Sequence, residues 1–171
     1  MRVFRGWSAC VFCCCLLLAA ASAEEARVLV RDAGIAFTMP EELSERALPA
    51  EAKAAGALFA AETEDGSLRL VLTAGPLRRK GIETASELAD RHRKDANVTV
   101  QEPVTVNGLE FILSDEAAEE DGGPVVFRMA TAIVHETQIT FFFIDRTGEH
   151  ADVPREVVGS VVADAEKETG I

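Results

Sequence analysis

Three histidines, His92, His135 and His150, are the side chains of this sequence best suited to exchange a proton or hold a metal near neutral pH. No two of them stand at a spacing that brings two imidazoles to one ion. His150 alone keeps acidic company, with Asp145, Glu149 and Asp152 close by in the chain, and several oxygens with one imidazole suit a hard cation. Asp152 also fits the plainer task of capping a helix, so no metal ligand is assigned. His92 falls on the apolar face of a predicted helix, the usual setting of a core histidine. His135 falls at a turn between two strands.

Nucleophilic catalysis finds no constellation. There is no Gly-x-Ser-x-Gly elbow, and Ser160, in Val158-Gly159-Ser160-Val161, falls inside the last predicted helix. Phosphate-binding glycine loops are absent as well. The run from Asp115 to Gly123 is rich in carboxylates but lacks the Asp-x-Asp-x-Asp-Gly spacing that wraps calcium, and it reads as a solvated hairpin tip. Two basic clusters oppose the general acidity. Arg91, Arg93 and Lys94 close a helix, where cations complement the dipole. Arg78, Arg79 and Lys80 lie in a loop that feeds a helix and form the one candidate partner-docking site, although a plain solvated loop accounts for them too.

Composition narrows the remaining classes. The formal net charge of −12 repels nucleic acid and anionic lipid head groups. The only tryptophan is Trp7 and there is no tyrosine, which leaves phenylalanines in strand-like apolar stretches as the flat surfaces of the chain and disfavours the stacking on which sugar and single-strand binding draw. Residues 1–23 have a basic start at Arg2 and Arg5, an apolar run, and Ala21-Ser22-Ala23 ahead of Glu24, which reads as a secretory signal cleaved after Ala23. All four cysteines, Cys10, Cys13, Cys14 and Cys15, lie within it, so the exported product has no disulfides. The competing lipoprotein reading is weakened because Phe12-Cys13-Cys14 is a poor lipobox, and an uncleaved anchor because the apolar run is short for a membrane span. No cofactor is expected.

The elements that position these residues are marked by turns and periodicity. Asp65-Gly66 and Asn107-Gly108 each read as a two-residue hairpin turn, since both dipeptides tolerate positive φ. Thr84-Ala85-Ser86-Glu87 opens a helix to about Ala96. A second helix is predicted from Asp152, with Pro154 in its first turn and a stripe of Val157, Val158, Val161, Val162 and Ala165. A short helical turn fits between Glu41 and Leu48. Pro103 cannot donate to a ladder, which sends the strand from Val98 to Val106 to a sheet edge. Residues Ile139 to Ile144 are apolar on both faces, and Val125 to Val134 nearly so, with only Arg128 and Thr131 interrupting. Such strands need cover on both sides of the sheet.

This element order, with the opening Gly34-Ile35-Ala36-Phe37-Thr38-Met39-Pro40 and the pattern Val106-Asn107-Gly108-Leu109, resembles the PsbP-like α/β/α sandwich and, within it, the bacterial exported DcrB-like branch. The resemblance runs from about Val28 to Ala165. It implies an α+β fold, an antiparallel β-sheet flanked by helices on both faces, in one domain over residues 24–171. It also implies a mostly non-enzymatic superfamily whose members bind or assist protein partners. DcrB-like members are commonly lipid-anchored, and this chain departs from them in lacking a convincing lipobox. The expectation is an exported, non-catalytic protein-binding or assembly module of the cell envelope, in the periplasm or outside the cell. Its partner is an envelope protein and not nucleic acid, with no stable membrane insertion after signal cleavage. A small-ligand or cation-binding accessory using the Asp145-to-Asp152 loop is the first alternative, and a hydrolase whose residues converge only in space is the second.

Overall fold

The computed structural model describes residues 27–76, 87, 89–90, 93–94, 98–101, 103–120, 123–134 and 137–163. The expected signal segment, the basic residues Arg78, Arg79 and Lys80, and both His92 and His135 lie outside the described residues.

The chain opens with β1 (Arg27–Val30) and β2 (Ile35–Thr38), joined by a 3-10 turn. There follow β3 (Ser44–Glu45), α1 (Ala50–Ala54), β4 (Ala57–Glu62) and β5 (Leu68–Pro76). Then come β6 (Val98–Val100), β7 (Val104–Val106), β8 (Leu109–Glu120), β9 (Gly123–Val134), β10 (Thr137–Asp145), α2 (Val153–Ser160) and β11 (Val162–Ala163). Every strand pairing is antiparallel. One sheet has the order β1-β2-β11; the larger runs β3-β4-β5-β10-β9-β8-β6, with β7 also on β8. The fold is therefore α+β, dominated by antiparallel sheet.

Strand alternation builds the core. Ile139, Phe141 and Phe143 of β10, Leu68, Leu70 and Leu72 of β5, Ala130 and Ala132 of β9, and Phe111 of β8 are all fully buried on one face of the larger sheet. The small sheet and α2 close over that face, bringing Ile35, Phe37, Val157 and Val161 into the same cluster. Phe37 meets Phe59 and Phe141 edge-on at centroid distances of 5.5 and 5.3 Å, a geometry worth about 0.5–1.5 kcal/mol per pair beyond burial. Phe142 and Ile144, which alternate onto the opposite face, are only half-buried. On that face Ala89 is buried with Ile112, and Val100 packs against them. Ala89 and Asp90 are helical, and Arg93 N–H donates to the Ala89 carbonyl at 2.9 Å. Most of the helix expected from Thr84 to Ala96 lies outside the described residues.

Several expectations shift once the register is visible. Asn107-Gly108 is the anticipated two-residue turn: Val106 pairs with Leu109, and both turn residues have positive φ, 49° and 80°. The Asp65-Gly66 turn is wider. Thr63 N–H donates to the Leu68 carbonyl at 3.0 Å, which leaves four residues in the loop, and only Gly66 has positive φ. The acidic run is ladder and not loop, because Asp115 to Glu120 pair with β9 out to Glu120 opposite Gly123. The short helix sits at Ala50–Ala54, beyond Pro49, since a proline suits the start of a helix better than its interior. Pro103 does mark an edge: it splits the strand into β6 and β7, both on β8. The last helix stops at Ser160, and Val162 pairs with Ala36 instead. Ser160 closes that helix by donating to the Val157 carbonyl at 2.7 Å while accepting Thr38 N–H at 2.9 Å. Asp152 occupies the cap position but makes no side-chain cap bond.

Candidate functional site at the Asp145 end of the sheet

Antiparallel pairing carries three chain reversals to one end of the larger sheet: the β4–β5 loop, the β8–β9 hairpin and the exit of β10. Asp145 is the last residue of β10, and its side chain is buried. A charge there needs full compensation, since an uncompensated buried carboxylate costs several kcal/mol. Arg128 supplies the opposite charge through Nη1 to Oδ2. The chain then folds back over the carboxylate. Oδ1 accepts N–H bonds from Thr147 at 3.1 Å and Gly148 at 2.7 Å and the Thr147 hydroxyl at 3.2 Å, while Oδ2 accepts His150 N–H at 3.2 Å. Gly148 permits this wrap by adopting φ +78°. Burial pushes the Asp145 pKa up, but the bonds from Arg128, Gly148, Thr147 and His150 outweigh it and hold the carboxyl below its ordinary value.

Beside it lies a second polar network. The buried Thr63 hydroxyl donates to Asp65 Oδ1 at 2.8 Å and accepts Leu68 N–H at 3.1 Å. Ser67 N–H reaches the same Asp65 oxygen at 3.0 Å, and that bond leads the causes that lower the Asp65 pKa to about 2. Ser67 Oγ lies 3.2 Å from Thr63 Oγ1 and 3.0 Å from His150 Nε2. Arg146 ties the loops together, donating from N–H to the Ser67 carbonyl at 2.9 Å, from Nη1 to the Gly66 carbonyl at 2.9 Å and from Nη2 to Glu120 at 2.8 Å. A shallow groove of about 620 Å³ opens here, with Glu41, Glu42, Glu64 and Asp65 around the Ser67–His150 contact.

What this arrangement can do chemically follows from its bonding. Asp145 has five donors, and its carboxylate meets the backbone of His150 and not its ring. A Ser–His pair acts as nucleophile and base when a third group orients the imidazole; here the Ser67–His150 bond joins two loops. The acidic rim of the groove disfavours a developing oxyanion. The set Asp145, Glu149, His150 and Asp152 is not brought onto one point, and among the described residues no group of three or more His, Cys, Asp or Glu side chains is placed to hold a metal. No helix of the described residues is long and apolar enough to cross a membrane. Arg78, Arg79 and Lys80 lie outside the described residues, so the structure does not place that loop.

Sequence reasoning missed Thr63, Ser67, Arg128 and Arg146. A signal existed for Arg128, because a lone cation inside an apolar strand demands a carboxylate. Its partner lies 17 residues away.

No family model matches the sequence, and no curated protein matches it. Solved structures do. The cyanobacterial PsbP protein, CyanoP, from Synechocystis sp. PCC 6803 superimposes with a TM-score of 0.56 at 12% identity, over 81% of this chain and 91% of that one. This chain has the PsbP-like fold. A crystal structure from Bacteroides thetaiotaomicron gives a TM-score of 0.57 at 13% identity over 78% of this chain, which spans only 46% of that protein. LpqN, involved in cell envelope biogenesis of Mycobacterium tuberculosis, is similar at a TM-score of 0.49 and 8% identity over 80% of this chain and 88% of that one. Within the PsbP-like fold of this chain, the Asp145 wrap and the Thr63–Ser67–His150 network anchor loops at one end of the larger sheet.

Proposed function

We propose that this protein is an exported, non-catalytic protein-binding or assembly module of the cell envelope, of the DcrB-like kind. We further propose that helices flank both faces of the larger sheet, the second of them about Ala89 and Asp90, which are helical and bring Ala89 against Ile112. The observation that carries the reading is the PsbP-like fold itself, matched over most of this chain and most of CyanoP. The use of Asp145 and Arg128 in anchoring the loop that follows β10 supports it, because a cation site there would need the Asp145 carboxylate free. The acidic balance of the chain suits a protein partner better than nucleic acid or an anionic membrane. Release after Ala23 places the module in the periplasm or beyond the cell.

The test is crosslinking in intact cells from photoreactive residues spread over the exposed surface, with the captured protein identified by mass and confirmed by a binding titration of the purified pair. One recurrent envelope protein, bound with a measurable Kd, is the expected result. Absence of any adduct from every position removes the proposal. Intact-mass measurement of the exported chain checks the cleavage site, and a lipid-modified cysteine at its start would replace the soluble form with an anchored one. Replacing Arg78, Arg79 and Lys80 with Ser tests the basic loop: weaker binding with a flatter salt dependence marks it as a docking element, and unchanged affinity and salt slope remove it.

A further inference from the structure

Among the described residues the small sheet ends at β1, which pairs there with β2 alone. Its other side faces a groove of about 710 Å³, and all six consecutive residues from Arg27 to Asp32 line that groove. Alternating side chains of a strand point to opposite faces, so a wall that takes in all four residues of β1, followed by Arg31 and Asp32 of the turn, includes the strand's own edge. Across the groove stand Leu58 and Phe59 of β4, beyond the point where β3 stops pairing, since β3 reaches only Glu62 and Ala61. Leu29 projects at 45% exposure, more than any other large apolar side chain among the described residues. Arg27 and Arg31, on either side of it, are exposed, and neither is in an ion pair with a described residue.

We propose that the free edge of β1 is a docking site for an extended, acidic segment of a partner protein, added antiparallel as the outer strand of the small sheet. The inference rests on the protein-binding reading above and names its surface and the chemistry of its partner. An open edge is a template for another strand, and strand addition is a recurring mode of peptide recognition in which backbone bonds hold the peptide and alternate side chains select it. The charges choose the occupant. A second copy of this chain pairing antiparallel along β1 brings Arg27 of each copy toward the turn that carries Arg31 of the other, and like charges close together are destabilising. A strand with carboxylates flanking an apolar residue meets both guanidiniums and Leu29 together. Glu45 comes from the other wall, and Asp32 shares with Arg31 the turn beyond the strand, so Arg27 is the charge that β1 itself carries. The general acidity of the protein acts at longer range and is screened beyond about 8 Å at physiological salt.

The probe is a short acetylated peptide alternating glutamate with valine, compared with its lysine–valine counterpart, titrated into the full exported chain and into the doubly charge-reversed Arg27→Glu/Arg31→Glu variant. The native protein is expected to prefer the glutamate peptide, with slowed amide exchange across Arg27–Val30. Charge reversal is expected to weaken that binding about tenfold and to favour the lysine peptide. Both substituted residues are exposed, and matched thermal unfolding confirms that the variant folds. In the native protein alone, binding of the glutamate peptide must weaken as salt rises. Failure of the glutamate peptide to bind, equal affinity for both peptides, or binding that leaves Arg27–Val30 exchange unchanged overturns the assignment. Capture of an envelope partner from other photoreactive positions but never from position 29 also removes it while leaving the protein-binding reading intact; capture from no position removes both.

Discussion

At one end of the larger sheet the chain reverses through side-chain chemistry, and at the other through backbone conformation. The Asp145 end joins three reversals with a buried carboxylate, its arginine and the loop amides. The Asn107 end turns in two residues, both at positive φ, and one further bond fixes its direction, Asn107 Nδ2 to the Val161 carbonyl at 2.7 Å. Helix α2 runs between the two ends, leaving the Asp145 loop and arriving beside the Asn107 turn. A turn encoded in backbone torsion needs one or two residue types, whereas a turn encoded in a buried charge needs partners contributed from several strands. The first kind fails locally when broken. The second releases every loop it holds.

The largest expected effect is therefore at Asp145. Asp145→Ala leaves Arg128, whose side chain is 14% exposed, without its counter-charge and frees the amides of Thr147, Gly148 and His150. Breaking a buried pair from one side costs about 3–5 kcal/mol, and urea unfolding should show a loss of that size with raised exchange at both the 63–67 and 145–150 loops. A loss below about 1 kcal/mol would mean that this end is held by its apolar contacts alone. Acid should act on the same group. The folded pKa of Asp145 lies below its ordinary value, so the unfolded chain takes up the proton first. The stability it contributes is complete above the unfolded value of about 3.8 and is lost as pH falls through that value toward the folded one. Unfolding midpoints followed from pH 6 down to about pH 2 should fall less steeply in Asp145→Ala than in the native protein.

Breaking the other end should cost less and remain local. At Gly108 a Cβ meets nothing within 4 Å, so the cost of Gly108→Val is purely torsional, about 1–3 kcal/mol for a β-branched residue held at positive φ. The loss should appear with exchange raised near the turn and unchanged at the 145–150 loop. An unaltered midpoint contradicts the two-residue turn.

The same contrast explains what was legible in the sequence. Asn107-Gly108 announces its torsion angles in its residue types, and Pro103 announces an edge through the donor it lacks. The two-sided apolarity of β10 and β9 likewise marked the centre of the larger sheet. Asp65-Gly66 looked alike on paper but differs because the Asp65 oxygen accepts the Ser67 amide and the Thr63 hydroxyl, which stabilises a four-residue loop over the tighter one. The carboxylates from Asp115 to Glu120 have the polarity of a loop, yet their backbones pair with β9 residue by residue. The site was the least legible part. His150 drew attention through its acidic neighbours, but its ring partner, Ser67, is 83 residues distant, and Arg146 meets Gly66 across 80. Such contacts are set by strand order, which local periodicity does not contain.

The smallest effect is expected at the rim of the Asp145 end, and it tests whether that end depends on its buried charge or on ion pairs in general. Arg146 and Glu120 meet at 2.8 Å with side chains 32% and 38% exposed, so solvent screens the pair and it contributes at most about 0.5 kcal/mol. Glu120→Gln keeps an oxygen that can accept from Arg146 and should move Tm by less than about 2 °C. Arg146→Ala should cost somewhat more, near 1 kcal/mol, because the Gly66 carbonyl loses its side-chain donor as well. If Glu120→Gln approached the loss seen for Asp145→Ala, the three loops would be joined chiefly through their rim, and the distinction between a buried anchor and a torsional turn would fall. A shift small beside both Asp145→Ala and Gly108→Val, and smaller still at high salt, keeps the anchor at Asp145.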